Sequence, residues 1–238
     1  MFDLYKMVGE LYDNTALYDF EKFSIIKTEG TEWPNAAFNI IRMDAGTMEE
    51  IKKEMKNLDM HLLILPYIGD NIVADLRKHG FFPVEQWDLM YKDNLNESSA
   101  RPTSNEYEPY LIAENELDSW IRVISNNLFK SKKLDRLIFE ALKLNGAELV
   151  GLKDGKDLFG TSMIYYDRFG QPGIYMVSIN EDQRRKGLAK AIMQFCMDRI
   201  KEKFHNICFL QATKMAVPLY ESLGFTRTGI CSLFWKIK

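Results

Sequence analysis

Residues 182–190 read DQRRKGLAK, between an apolar run, GIYMVSI at 173–179, and a patterned segment, AIMQFCMDRI at 191–200. Three cations, Arg184, Arg185 and Lys186, lead straight into Gly187, Leu188 and Ala189. The run before them is continuous, apolar and partly β-branched, as in a strand buried on both faces. The segment after them is a helix from Gly187 to about Lys203, with Leu188, Ile192, Phe195, Cys196 and Ile200 inward. A strand that turns directly into a helix leaves several backbone N–H groups unpaired at the helix start. Those donors and the helix dipole together form an anion site. Gly187 removes the side chain where a phosphate must approach the backbone, and Ala189 stays small for the same reason. Cations at a helix start oppose the dipole, so helix stability does not account for them. The stretch suits a phosphate-bearing ligand, expected to be a diphosphate. It is neither the GxxxxGK[ST] phosphate loop nor the GxGxxG dinucleotide turn.

The rest of the composition narrows the classes. The chain has 238 residues, 46% of them apolar, and a formal net charge of -3. Any anion site must therefore be local, and a nucleic-acid partner is not expected. No apolar run is long enough to span a bilayer. The start, MFDLYKMVGELYD, lacks a basic stretch followed by an apolar core, so no signal peptide is expected and the location reads as cytoplasmic. Cys196, Cys208 and Cys231 sit singly among apolar neighbours, as buried thiols do in a reducing compartment. His61, His79 and His205 are isolated, so no metal is expected.

Residues 92–109, KDNLNESSARPTSNEYEP, are polar and nearly free of aliphatic side chains, which marks a linker. Its centre, 94–106, divides the chain into a first part, 1–93, and a second, 107–238. In the second part, Leu117, Trp120, Ile121, Ile124 and Leu128 recur at helical spacing, and a second helix ends at Gly146. Two strands then meet at Asp154-Gly155, followed by the strand and helix described above. ICFLQAT (207–213) is a further strand, AVPLYESL (216–223) a short helix, and GFTRTGICSLFWKIK (224–238) a closing hairpin. The first part echoes this ending. Residues 61–93 parallel 207–238 as apolar strand, short helix, Gly-Phe and aromatic-rich strands, which suggests duplication. The first part has no counterpart of RRKGLA, so it is expected to have lost the anion site.

Arg184-x-x-Gly187-x-Ala189, after an apolar strand and opening an amphipathic helix, resembles the acetyl-CoA signature of the GNAT (GCN5-related) N-acetyltransferase superfamily. AVPLYESLGF at 216–225 is similar to that family's second motif, and the resemblance covers about 107–238. The first part, with Trp33-Pro34-Asn35 between two strand-like runs, resembles the degenerate N-terminal half of tandem GNAT proteins. The resemblance implies an α/β (α+β) fold, a mixed central β-sheet flanked by helices, in two tandem GNAT-like units.

The family implies acetyl-CoA as co-substrate and a small-molecule or peptide amine as acceptor. By position, Arg184, Arg185, Lys186, Gly187, Leu188 and Ala189 would hold the pyrophosphate. Val177, Ser178 and Ile179 would lie along the pantetheine arm, on a strand that splays from ICFLQAT. Tyr220 matches the tyrosine that protonates the departing thiolate. Thr213 stands where many members carry Asn, which alters one contact to the cofactor arm. GIYMVSI holds no carboxylate, so Glu148, Asp167 and a water on Ser178 remain alternatives as general base. Trp33 suits either a substrate cleft or a packed turn. The second functional reading is a non-catalytic CoA-binding sensor or scaffold. A tandem chain is expected to work as a monomer or weak homodimer.

Overall fold

The computed structural model describes residues 2–31, 33–66, 70–95 and 107–237, and most of the expected linker, 96–106, lies outside them. The chain forms two units. One is made of Met1–Leu89, Ala212–Val217 and Arg227–Lys238, the other of Met90–Gln211 and Pro218–Thr226. The first part of the chain holds α1 (Phe2–Leu11), β1 (Thr15–Asp19), β2 (Ser24–Thr28), β3 (Ala36–Phe38), α2 (Ala45–Asn57), β4 (Leu62–Pro66), α3 (Asp70–Lys78) and β5 (Phe81–Lys92). The second holds β6 (Tyr110–Leu111), α4 (Leu117–Leu128), α5 (Arg136–Leu144), β7 (Glu148–Asp154), β8 (Asp157–Tyr166), β9 (Pro172–Ile179), α6 (Leu188–Glu202), β10 (Cys208–Thr213), α7 (Val217–Ser222) and β11 (Thr226–Lys236).

Both units repeat one plan. In the first, β1, β2 and β3 pair antiparallel, and β3 pairs parallel with β4 across the α2 crossover. In the second, β7, β8 and β9 pair antiparallel, and β9 pairs parallel with β10 across α6. Parallel neighbours require such a crossover, and a helix supplies it. Within each unit the strand pairing is mixed, antiparallel and parallel. Trp120 of α4 is fully buried, and its indole N–H donates to the Val150 carbonyl at 2.9 Å. The turn at Asp154-Gly155 falls where expected, with Gly155 at a φ of +56°. Two residues differ from the helical reading. Leu128 is exposed at the end of α4 while Val123 is buried. On α6 the buried stripe runs through Met193 and Met197, which leaves Phe195 half-buried.

The closing hairpin is not formed. Residues 226–236 make the single strand β11, whose Cys231–Trp235 pair antiparallel with Leu62–Pro66 of β4. Gly229 keeps a negative φ, so no tight turn interrupts the strand. Cys231, Leu233 and Phe234 are buried there, and Phe234 belongs to the core of Phe23, Ile25, Met48, Ile51 and Leu63. The C-terminal strand thus completes the sheet of the first unit. The echo between the two endings is structural. Gly80 and Gly224 follow α3 and α7 with φ of +80° and +84°. Gly80/Gly224, Phe81/Phe225, Leu89/Leu233 and Lys92/Lys236 are each separated by the same 144 residues. A Cβ on Gly80 would lie 2.9 Å from Lys236 Nζ, and one on Gly224 would lie 2.8 Å from Lys92 Nζ. Each long strand ends with its lysine against the other strand's opening glycine.

Candidate functional site

β9 carries a bulge. Thr161 pairs with Ser178 and Met163 with Tyr175, so Ser162 alone stands opposite both Met176 and Val177. Met176 takes the left-handed conformation, with φ of +53°. The Thr161 hydroxyl donates to the Met176 carbonyl at 3.0 Å, and the Ser162 hydroxyl to the Tyr175 carbonyl at 3.3 Å. An extra residue bends the strand and re-aims the residues beyond it. Burial on both faces is accordingly interrupted, with Tyr175–Val177 half-buried. Among the described residues, β9 and β10 pair only at Gly173/Phe209 and Ile174/Leu210. Val177, Ser178 and Ile179 lie beyond the bulge, past this last pairing. The Ser178 hydroxyl is buried and has no hydrogen-bond partner among the described residues.

After Ile179 a single turn, Glu181–Gln183, leads to Arg185 at φ +64° and Gly187 at φ +77°. Two left-handed residues so close together fold the chain sharply into α6, and at position 187 a glycine adopts this at no steric cost. No side chain caps α6. The corresponding helix of the first unit differs. There Asp44 caps α2, accepting from the Thr47 N–H at 2.9 Å and the Thr47 hydroxyl at 2.8 Å. These bonds hold the Asp44 carboxyl down at about 2. One helix start is filled by its own carboxylate, and the other is left open.

The three cations do different things. Arg184 Nε donates to the Ile179 carbonyl at 3.0 Å, and its Nη2 reaches Asn127 Oδ1 at 3.4 Å. Asn127 in turn donates to Asn180 Oδ1 at 2.8 Å. Arg184 therefore braces the loop against the end of β9 and against α4. Lys186 donates to Gln183 Oε1 at 2.7 Å, and Arg185 has no partner among the described residues. Leu188 is buried, while Ala189 is half-buried on the first turn.

Tyr220 lies on α7 and is 5% exposed. The helix ends in a Schellman motif: Phe225 N–H donates to the Tyr220 carbonyl at 3.0 Å, and Gly224 N–H to the Glu221 carbonyl at 2.9 Å. The Tyr220 and Phe225 rings meet edge-on at 5.9 Å. Burial raises the Tyr220 phenol above its usual range. Thr213 ends β10, among the residues of the first unit.

Two of the candidate bases are otherwise engaged. Glu148 pairs with Arg199 at 2.9 Å and with Lys203, both at the far end of α6 from Gly187. Asp167 shapes the β8–β9 turn by accepting from the N–H groups of Phe169 and Gln171. Trp33 is buried edge-on to Tyr5, with ring centroids 6.0 Å apart, which makes it a core residue of the first unit. Asn127, Thr161 and Ser162 were not singled out by sequence. The one signal for the last two is a polar pair inside the otherwise apolar run DLFGTSMIYY.

Among the described residues, no group of His, Cys, Asp and Glu side chains is arranged to hold a metal ion. No described helix is long and apolar enough to cross a membrane. Residues 115–231 match the family model of the acetyltransferase (GNAT) domain. No curated protein matches the chain. Solved structures resemble it over nearly its whole length. The GCN5-related N-acetyltransferase from Kribbella flavida is 14% identical with a TM-score of 0.72, over 100% of this chain and 95% of that one. The GCN5-related N-acetyltransferase from Sphaerobacter thermophilus is 13% identical with a TM-score of 0.66, over 91% and 80%. A tandem GNAT protein from the clavulanic acid biosynthesis pathway is 10% identical with a TM-score of 0.63, over 94% and 83%. At such identities the likeness is one of fold, and it spans both units. Residues 115–231, which contain the open helix start and the bulged strand, are thus identified as an acetyltransferase (GNAT) domain.

Proposed function

We propose that the chain transfers an acetyl group from acetyl-CoA to a primary amine, with both substrates held in one ternary complex. The observation that carries this reading is the uncapped start of α6 behind Gly187, against the Asp44-capped start of α2. The residues present fit a pyrophosphate: open N–H groups at a helix start, with the exposed cations Arg185 and Lys186 beside them. Arg184 braces the loop that presents them, and Leu188 anchors the helix in the core. Val177, Ser178 and Ile179 offer main-chain groups to the pantetheine arm, and the unpartnered Ser178 hydroxyl adds a donor. Thr213 supplies a further polar contact. When bound, the thioester supplies an activated acyl carbon and a thiolate leaving group. The Tyr220 hydroxyl gives its proton to that sulfur, and its raised pKa keeps the proton on oxygen until charge develops there. The acceptor reacts as the free amine, its ammonium proton having passed to water; its nitrogen bonds the acyl carbon as the carbon–sulfur bond breaks, and the proton the nitrogen then sheds returns through water to the Tyr220 oxygen. Proximity does most of the remaining work. The three buried free cysteines accord with a reducing, cytoplasmic setting, and the tandem chain acts as a monomer or weak homodimer.

Asn and Asp both tolerate a left-handed conformation, so substituting each at Gly187 separates charge from strain. Titration of acetyl-CoA by calorimetry should give a Kd on the order of micromolar for the wild type. Gly187→Asn should lose a few-fold and Gly187→Asp at least about 30-fold, because only the latter sets a negative charge on the phosphate path. Equal losses would remove the pyrophosphate from this loop. A wild type that does not bind acetyl-CoA would end the transfer reading.

A further inference from the structure

The loop that opens onto α6 has little to hold it in shape from within. Residues 181, 182 and 184–187 are exposed, and Arg185 and Gly187 both take left-handed conformations. Gln183 N–H donates to the Asn180 carbonyl at 2.9 Å and Arg184 N–H to the Glu181 carbonyl at 3.3 Å, which closes a single turn. The firm anchors lie at the two ends of the loop. Asn180 N–H donates to the Phe159 carbonyl of β8 at 2.8 Å, and Leu188 is buried in the core. A loop that must become ordered when its ligand arrives loses conformational freedom, and that loss is subtracted from affinity.

A side chain from α4 reaches this loop. Asn127, in the last turn of the helix, uses both donors and the acceptor of its amide on different partners. Its Nδ2 donates to the Val123 carbonyl at 2.9 Å, within its own helix, and to Asn180 Oδ1 at 2.8 Å. Its Oδ1 accepts from Arg184 Nη2 at 3.4 Å. The first bond fixes the amide on α4, so the other two hold the loop at its entry and again at Arg184. Arg184 Nε meanwhile donates to the Ile179 carbonyl at 3.0 Å, and one guanidinium thereby joins the end of β9 to the helix. The support is stiff, since Trp120, Ile121, Val123 and Ile124 bury one face of α4. All of these residues belong to one unit. The adjacent Asn126 does something else: its Oδ1 accepts from the Ser131 hydroxyl at 3.3 Å, in the turn toward α5.

We propose that Asn127 is a positioning residue for the acyl donor, holding the loop in its pyrophosphate-binding shape from α4 through Asn180 and Arg184. Arg184 then acts as a strut, and the planar, forked geometry of its guanidinium matters more than its charge. The phosphate charge is met by Arg185, Lys186 and the open N–H groups of α6. The proposal rests on the transfer reading above.

The test is calorimetric titration of acetyl-CoA into the full chain and a set of variants, each with a thermal melt. Asn127→Leu keeps the size of the side chain and loses its bonds, and Kd should rise about tenfold, the cost of ordering a few loop side chains on binding. The loss should be the same in low and high salt, because no contact to a phosphate charge has been removed. Asn180→Ala cuts the shared bond from the loop side and leaves α4 untouched, so it decides the matter if Asn127→Leu does not fold. It should lose about as much, and the double variant should lose no more than either single one, since both remove the same tie. Arg184→Lys keeps the charge and should still lose several-fold. Asn126→Ala, one residue away on the same helix, should bind as the wild type does. Wild-type affinity in Asn180→Ala, losses that multiply in the double variant, or an equal loss in Asn126→Ala would each overturn the positioning role while acetyl-CoA still binds the wild type. Failure of the wild type to bind acetyl-CoA would bring down both this role and the transfer reading.

Discussion

Tyr220 has two separable properties, a ring and a hydroxyl. The ring closes the Schellman motif of α7 against Phe225, and the first unit performs the same packing with Leu76 and Phe81, both buried and 144 residues earlier. Packing therefore needs an apolar side chain here and does not need the oxygen. Tyr220→Phe keeps the ring, so the unfolding midpoint and the affinity for acetyl-CoA should hardly move. The turnover number should fall on the order of 100-fold, as when a general acid is removed. Steady-state kinetics with a thermal melt will check this, and an unchanged kcat would reduce Tyr220 to a packing residue. The sign of its pKa shift matters as well. Because the phenol is raised, it remains protonated through neutral and mildly alkaline pH, so it should cause no alkaline loss of kcat below its ordinary value of 10. At this scale the sequence was informative wherever the backbone forces a residue type. Gly187 and Gly224 were legible as glycines at turns into and out of helices. Arg184 was legible as a cation but not as a brace, since nothing in RRKGLAK says that one guanidinium turns back to the Ile179 carbonyl.

The site is shaped mainly by one element, β9. GIYMVSI was readable as a strand from its apolar run, but the bulge in it was not. Bulges of this kind usually announce themselves by a glycine, and here the left-handed residue is Met176. What holds Met176 there comes from the neighbouring strand, through a hydroxyl on a fully buried residue, Thr161. Thr161→Val is nearly isosteric and leaves the Met176 carbonyl without that donor. It should cost about 1–3 kcal/mol of stability in a urea melt, the penalty for a buried acceptor left unsatisfied. It should also weaken acetyl-CoA binding several-fold, because Val177–Ile179 would no longer be held in their post-bulge register. A variant as stable as the wild type, with unaltered binding, would mean that the bulge is fixed by its own strand. The same dependence on residue type makes the two crossover helices distinguishable. RRKGLA has no carboxylate at its helix start and MDAGTMEE has one, and the structure shows Asp44 serving as the cap of α2.

For the whole chain, two units with one plan were legible from the repeated strand, helix and Gly-Phe, because those signals are local. The destination of the last strand was not, because it depends on pairing between residues far apart in sequence. A hairpin was the local reading of 224–238, and β11 instead completes the sheet of the first unit beside β4. The consequence is that neither half of the sequence contains a whole unit. Residues 1–100 lack Arg227–Lys238, and with it Phe234, which is 1% exposed in the first unit's core. They would also leave β4 with an unpaired, apolar edge, which favours aggregation over folding. Residues 101–238 lack Met90–Lys92, including the Lys92 that lies against Gly224. Expressed separately, fragments 1–100 and 101–238 should therefore show neither dispersed amide resonances nor a cooperative melt. Mixed during refolding, they should recover both, since the cut falls in the polar stretch that was read as a linker. A first fragment that folds alone would show that β11 is an ornament on a self-sufficient unit. Recovery only on mixing would show that neither unit finishes folding without the strand residues that the other half of the sequence supplies.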